Sequence, residues 1–170
     1  MRCPACGFDN LIGSDVCDNC GADLAGRDVP EAATSYRGPL LGEHLDELLH
    51  ELNVGEPDVL DVSADVDQAV QVMHEKGSDC VLVVENGRLV GIFTDRDAVL
   101  KVAGKPAGRR PIAELMTRDP VVLRHDDTIA VAINKMAVGG FRHIPIVEGG
   151  RPTGVVTARD VFRHLAAQLD

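Results

Sequence analysis

Four cysteines near the start of the chain stand in two matched pairs, Cys3-Pro4-Ala5-Cys6-Gly7 and Cys17-Asp18-Asn19-Cys20-Gly21. Two residues between thiols let one tight loop aim both sulfurs at a single ion. A glycine directly after the second cysteine permits the turn that closes the loop. Four thiolates complete a closed tetrahedral set, so the chemistry expected of Cys3, Cys6, Cys17 and Cys20 is structural Zn2+ binding rather than catalysis. Iron is the other metal that S4 geometry admits. A redox dithiol is not expected, because no thioredoxin-like strand–helix context surrounds either pair. A segment this small depends on its metal to fold, with apparent binding free energies of about 10–16 kcal/mol in peptide systems.

A second pattern occurs twice, as Thr94-Asp95-Arg96-Asp97 and Thr157-Ala158-Arg159-Asp160. A Thr where a helix begins, with an acid at the third helical position, matches a helix N-cap. The recurrence is part of a larger one. Sliding residues 59–100 by 63 positions aligns them with 122–163 without a gap. Among the identical pairs are Leu60/Leu123, Ala69/Ala132, Met73/Met136, Gly77/Gly140, Gly91/Gly154, Thr94/Thr157 and Asp97/Asp160. An internal repeat of this kind is the primary organisational signal.

Each copy reads as strand, helix, strand, strand, helix. The first strands are Val59–Val62 and Val121–Leu123. The helices that follow carry Val66, Ala69, Val70 and Met73, or Ile129, Ala132, Ile133 and Met136, on one face. Gly77 and Gly140 end them, since glycine tolerates the left-handed conformation at a helix C-terminus. Buried strands follow at Cys80–Val84 and His143–Val147. The turns Glu85-Asn86-Gly87 and Glu148-Gly149-Gly150 are hairpin signals. Return strands at Leu89–Phe93 and Thr153–Val156 lead to a last helix from Thr94 or Thr157. One unit of about 45 residues buries too little surface to stand alone. The fold class expected is therefore α/β (α+β): two βαββα repeats in a pseudo-twofold pair, plus the small cysteine segment. The expected divisions are 1–24 (zinc ribbon), 25–39 (linker), 40–55 (an amphipathic helix carrying Leu41, Leu45, Leu48, Leu49 and Leu52), 56–104 and 111–168 (the repeats).

The repeat resembles a tandem pair of cystathionine-β-synthase (CBS) domains, a Bateman module. The likeness rests on Leu115-Met116-Thr117-Arg118-Asp119-Pro120-Val121, on Phe141-Arg142-His143-Ile144-Pro145-Ile146-Val147-Glu148, and on Gly91-Ile92-Phe93-Thr94-Asp95-Arg96-Asp97 with its second copy from Gly154 to Asp160. The first repeat departs at its start, where Glu56-Pro57-Asp58 replaces a Met-Thr lead-in. The cysteine segment is similar to the short N-terminal zinc ribbons of many prokaryotic proteins. The resemblance implies a regulatory module, not an enzyme, that binds AMP, ADP, ATP or a related adenosyl ligand in clefts between the repeats. It places Asp97 or Asp160 on the ribose, where a carboxylate accepts two adjacent hydroxyls. It places Thr94 or Thr157 by the phosphate. It joins Asp97 with Thr117, Pro120, Val121, Arg142 and His143 in the main cleft, where two basic side chains favour phosphate. The second cleft, with Thr157 and Asp160, is expected to be weaker because Asp79 and Cys80 take the corresponding positions. CBS pairs also commonly associate through helical faces, so a homodimer is expected.

Bulk composition limits the alternatives. Apolar residues make up 45 % and aromatics 3 %, so the core must be aliphatic. The net charge is −10, and residues 1–30 hold only Arg2 and Arg27 against five aspartates. Nucleic-acid binding requires clustered cations to displace counterions, so it is not expected. The competing reading is nonetheless a nucleic-acid-binding regulator that uses the ribbon, with the CBS pair as its control domain. Protein contact is the preferred reading for the ribbon, whereas the helix at 41–52 is expected to lie across the main domain, with contact to a partner or a second subunit as its alternative. The N-terminus shows no signal-peptide pattern, and no apolar run reaches the ~20 residues of a membrane span. A cytoplasmic protein is expected, with reduced thiols.

Overall fold

The computed structural model describes residues 1–24, 42–52, 54–104 and 109–168. The linker expected at 25–39 lies outside the described residues, as does Leu41 of the expected helix. In chain order the elements are α1 (Gly42–Leu45), a 3-10 turn (Leu49–Glu51), β1 (Val59–Asp61), α2 (Val66–Lys76), β2 (Cys80–Glu85), β3 (Arg88–Thr94), α3 (Asp95–Asp97) continuing into a π turn (Ala98–Val102), α4 (Ile112–Leu115), β4 (Thr117–Arg118), α5 (Ile129–Gly139), β5 (His143–Glu148), β6 (Arg151–Thr157) and α6 (Ala158–Ala167). They divide into two compact units, one within 57–120 and the other formed from 1–56 and 121–170.

In the 57–120 unit the sheet order is β1-β2-β3-β4. β1 runs parallel to β2, and β2–β3 and β3–β4 are antiparallel. Parallel neighbours need a crossover, and α2 supplies it. Asp65 starts α2 with a full capping box, accepting from the Gln68 N–H at 2.9 Å while Gln68 Oε1 accepts from the Asp65 N–H at 3.0 Å. Gly77, at φ 65°, ends it. Most of the expected face is buried: Val66, Ala69 and Met73 pack with Val81, Val83, Phe93, Ile112 and Met116, whereas Val70, expected beside them, is 39 % exposed. A Cβ on Gly91 would lie 2.3 Å from Met116 Sδ, so glycine is what lets β4 lie against β3.

The other unit holds the second repeat, and its hydrogen bonds keep the 63-residue offset. The parallel register Leu60↔Val83 reappears as the bridge Leu123↔Ile146. The β2–β3 bulge at Val83/Val84 reappears in β5–β6 at Ile146/Val147. The Asp95 N–H donates to Asp79 O and the Ala158 N–H to Arg142 O, both at 2.9 Å. Leu123, Ile129, Ala132, Ile144, Ile146, Val156 and Val161 form the core, joined by Leu49 and Leu52.

Two expectations need correction here. The strand expected over Val121–Leu123 is reduced to the single bridge at Leu123. Pro145 stands where Leu82 of the first repeat donates its N–H to Asp58 O, and it has no N–H to give Val121. Val122 bonds on its other edge, to Ile12 O (2.8 Å) and the Lys135 ammonium (2.9 Å). The helix expected over 40–55 is not continuous. The Leu49 N–H donates to Asp127 O instead of an upstream helical carbonyl, and Glu47 O accepts from the Ile129 N–H, both at 2.9 Å. These tertiary bonds break the stretch into α1 and the 3-10 turn. Its apolar face still covers the core expected of it, through Leu45, Leu49 and Leu52.

The lead-in segments are exchanged. Thr117–Arg118, which precedes the second repeat, pairs with β3 of the first. Val54–Gly55, which precedes the first, lies on β6 of the second, where a Cβ on Gly154 would meet Val54 Cγ1 at 3.0 Å.

Candidate functional site

The cysteine segment folds as two knuckles of the same design. The Gly7 N–H donates to Cys3 O and the Gly21 N–H to Cys17 O, at 2.9 and 2.8 Å. Both glycines have the positive φ anticipated for them, 75° and 69°. The four sulfurs converge within 4.8 Å of one another, with Cys3–Cys20 at 3.8 Å and Cys6–Cys17 at 3.5 Å. Sulfurs at the corners of a tetrahedron with metal–sulfur bonds of about 2.3 Å sit about 3.8 Å apart, so the donor set fits a metal ion. Cys3 and Cys17 are buried, Cys6 and Cys20 exposed.

The electrostatics also call for a cation. The Asn19 side chain and the Phe8 N–H favour the Cys6 thiolate and lower its pKa. Burial raises that of Cys17, but the N–H groups of Cys20 and Asn19 and the Asn10 amide outweigh it and bring it to about 6. The Ala22 N–H favours the Cys20 thiolate, yet crowding by Cys6, burial and the remaining thiols push it up to about 12. Four thiolates this close ionise together only around a positive charge. Asn10, buried, was not singled out from sequence. It ties the knuckles together, donating to Phe8 O (3.1 Å) and toward Cys17 Sγ (3.6 Å) and accepting from the Asp18 N–H (2.9 Å).

The two Thr–Asp boxes are closed capping boxes. Asp97 Oδ2 accepts from the Thr94 N–H (3.0 Å) and hydroxyl (2.9 Å). Asp160 Oδ2 does the same with Thr157, at 3.0 and 2.6 Å. The boxes then diverge. Asp97 Oδ1 pairs with Lys101 at 2.7 Å, and Lys101 also donates to Leu115 O. The position equivalent to Lys101 is His164, which bonds Glu47 instead. Lys101 was missed in the sequence although its i,i+4 spacing from Asp97 is an ion-pair signal.

Within the 57–120 unit, Thr94, Asp97, Thr117 and Pro120 belong to the same sheet and its margins. Thr117 pairs with Ile92, Pro120 is buried, and Asp119 takes φ 46° to turn the chain before it. Here Asp79 and Cys80 flank the first box, Cys80 pairing with Thr94. Val121, Arg142, His143, Thr157 and Asp160 belong to the other unit. There His143 pairs with Thr157, and the exposed Arg142 sits beside it. Arg142 and His143 therefore flank the Thr157–Asp160 box of their own repeat.

Comparison with known proteins agrees with this architecture. The family model of the CBS domain matches residues 51–104 and 112–167. The chain is 36 % identical over 101 residues to the CBS domain-containing protein CBSCBSPB5 of Arabidopsis thaliana, covering 58 % of this chain and 18 % of that protein. It thus spans under a fifth of that relative's length. Among solved structures, it is similar to the CBS domain pair of protein MJ0100 in complex with 5′-methylthioadenosine and S-adenosyl-L-methionine, with a TM-score of 0.66, 22 % identity, and coverage of 72 % of this chain and 98 % of that one. It is also similar to the CBS domain protein PAE2072 of Pyrobaculum aerophilum complexed with AMP, with a TM-score of 0.63, 21 % identity and coverage of 71 % and 99 %. Two repeats with one hydrogen-bond register, matched along both copies, make this chain a member of the CBS-domain family.

Proposed function

We propose that the chain is a regulatory module that senses an adenosine nucleotide through its CBS repeats and passes the signal to a partner. The observation that carries the reading is the Thr–Asp box, repeated at one register on a CBS scaffold. The related MJ0100 and PAE2072 pairs hold adenosyl compounds. Ribose recognition is assigned to the carboxylates Asp97 and Asp160, and phosphate recognition to the hydroxyls of Thr94 and Thr157 and the cations Arg142 and His143. Thr117, Pro120 and Val121 are assigned to the main site with Asp97. Zn2+ is the metal assigned to Cys3, Cys6, Cys17 and Cys20, in a structural role.

Isothermal titration with AMP, ATP, NADH and S-adenosylmethionine tests the reading. At least one adenosyl ligand binds, and Asp97→Ala weakens it about tenfold or more, which corresponds to about 1.4 kcal/mol. A circular-dichroism melt of the same variant separates lost capping from lost contact. Silence with all four compounds, or unchanged affinity in Asp97→Ala, removes the site assignment. Elemental analysis of the purified protein checks for one zinc per chain.

A further inference from the structure

The cysteine segment does not stand apart from the second repeat. Its loop between the knuckles lies on residues 122–124, and the fit is close. The Val122 N–H donates to Ile12 O at 2.8 Å, and Arg124 Nη1 donates to Gly13 O at 3.1 Å. Gly13 has φ +100°, and a Cβ there would lie 2.1 Å from Val122 O and 3.0 Å from Lys135 Nζ. No other residue type fits that approach.

Beneath the loop is a buried polar network. Arg124 pairs with Asp127 at 2.7 Å, and Lys135 Nζ donates to Val122 O at 2.9 Å. Asp127 is 4 % exposed and Lys135 6 %. Burying an ammonium and a carboxylate is costly unless both are satisfied. The first repeat serves as an internal control. Its residues at the positions of Val122, Arg124, Asp127 and Lys135 are Val59, Asp61, Ala64 and Val72. Among the described residues it carries neither the network nor a covering loop, and Val59 is 42 % exposed where Val122 is 0 %.

We propose that the ribbon is a metal-held clamp on the lead strand of the second repeat. Metal at the four cysteines orders the Leu11–Ser14 loop, and that loop with Lys135 and Arg124 fixes residues 121–124. Val121 is among the residues assigned above to ligand recognition, so the nucleotide half of the inference rests on that reading. Coupling of this kind is reciprocal. Metal raises affinity for the nucleotide, and nucleotide raises affinity for the metal, by the same factor.

The test compares the zinc-loaded full chain, the chelated chain, and two loaded variants, Gly13→Ala and Lys135→Met. Gly13→Ala alters only the ribbon side, so it remains informative if Lys135→Met does not fold. The first readout is amide hydrogen exchange over 121–124, which needs no nucleotide. Chelation and each variant raise exchange at Val122 at least tenfold, while exchange at Leu60 and Leu82 of the first repeat is unchanged. The second readout is AMP titration, where the same changes weaken binding about fivefold or more. Exchange at Val122 that is indifferent to chelation and to Gly13→Ala overturns the clamp. If the loaded wild-type chain ignores AMP and also ATP, NADH and S-adenosylmethionine, the nucleotide reading falls, and the exchange result still decides the clamp.

Discussion

Thr157 and Asp160 illustrate how one pair of side chains answers to two constraints. Each N-cap hydroxyl satisfies a helical N–H that has no intrahelical partner, so Thr157→Ala costs about 1 kcal/mol in denaturant unfolding whether or not a ligand binds. Such a loss is evidence of capping alone, and only a titration reports recognition. Asp97 carries more, because Lys101 is paired to its outer oxygen. Lys101→Met therefore lowers stability less than Asp97→Ala does, and a larger loss in Lys101→Met would contradict the pairing. Cys80 is a simpler case. Burial, then the charges of Asp79, Asp58 and Asp95, push its thiol up to about 12. The thiolate is the reactive form, so iodoacetamide leaves Cys80 unlabelled between pH 7 and 9 in the folded protein and labels it once urea is added. Rapid labelling of Cys80 in the native state would show that its strand is open to solvent.

At the level of elements, the segment before the first repeat is held on the second by Glu47. Its carboxylate accepts from His44 at 2.7 Å and from His164 at 2.5 Å. Those two hydrogen bonds lower its pKa. A carboxylate whose folded pKa lies below its unfolded value stabilises the fold above the unfolded pKa, about 4.3, and loses that contribution as pH falls through the folded value. Glu47→Gln should therefore narrow the gap to wild type as pH drops from 6 to 3 in denaturant titrations, and a gap that widens instead would refute the assignment. The apolar half of this segment was legible in its leucine spacing, and its break was not. What breaks it is bonding of Glu47 and Leu49 to Ile129 and Asp127, residues remote in sequence. Lys135 was hidden for a related reason. A lysine in an apolar helix pattern reads as solvent-facing, and its burial follows from a glycine at position 13. The repeats, by contrast, were written twice, and their caps and hairpins depend on local residues such as Asp65, Gly77 and Asn86-Gly87.

At the scale of the molecule, the same repetition that revealed the fold leaves matching surfaces uncovered. Val99 and Phe162 occupy one register position in the two repeats and are 65 % and 70 % exposed. Beside Phe162, helices α5 and α6 enclose a groove of about 530 Å3 lined by Ile133, Met136, Phe141, Val161 and Leu165, with Val138 exposed at 74 %. None of the described helices is long and apolar enough to cross a membrane, so this face is not part of a spanning helix. Large apolar side chains clustered at the surface mark a contact site. A homodimer through the helical faces, as the family resemblance implies, would cover them with a twofold-related copy of the same patch. Sedimentation should give a dimer for the wild type and a monomer for Phe162→Glu, while Arg163→Glu, next to it on the same helix, stays dimeric. Because Phe162 is exposed and outside the buried core, the variant should melt within a few degrees of the monomeric baseline rather than unfold. Identical sedimentation of Phe162→Glu and wild type at the same concentration would assign this face to a different partner and leave the chain's own association to another surface.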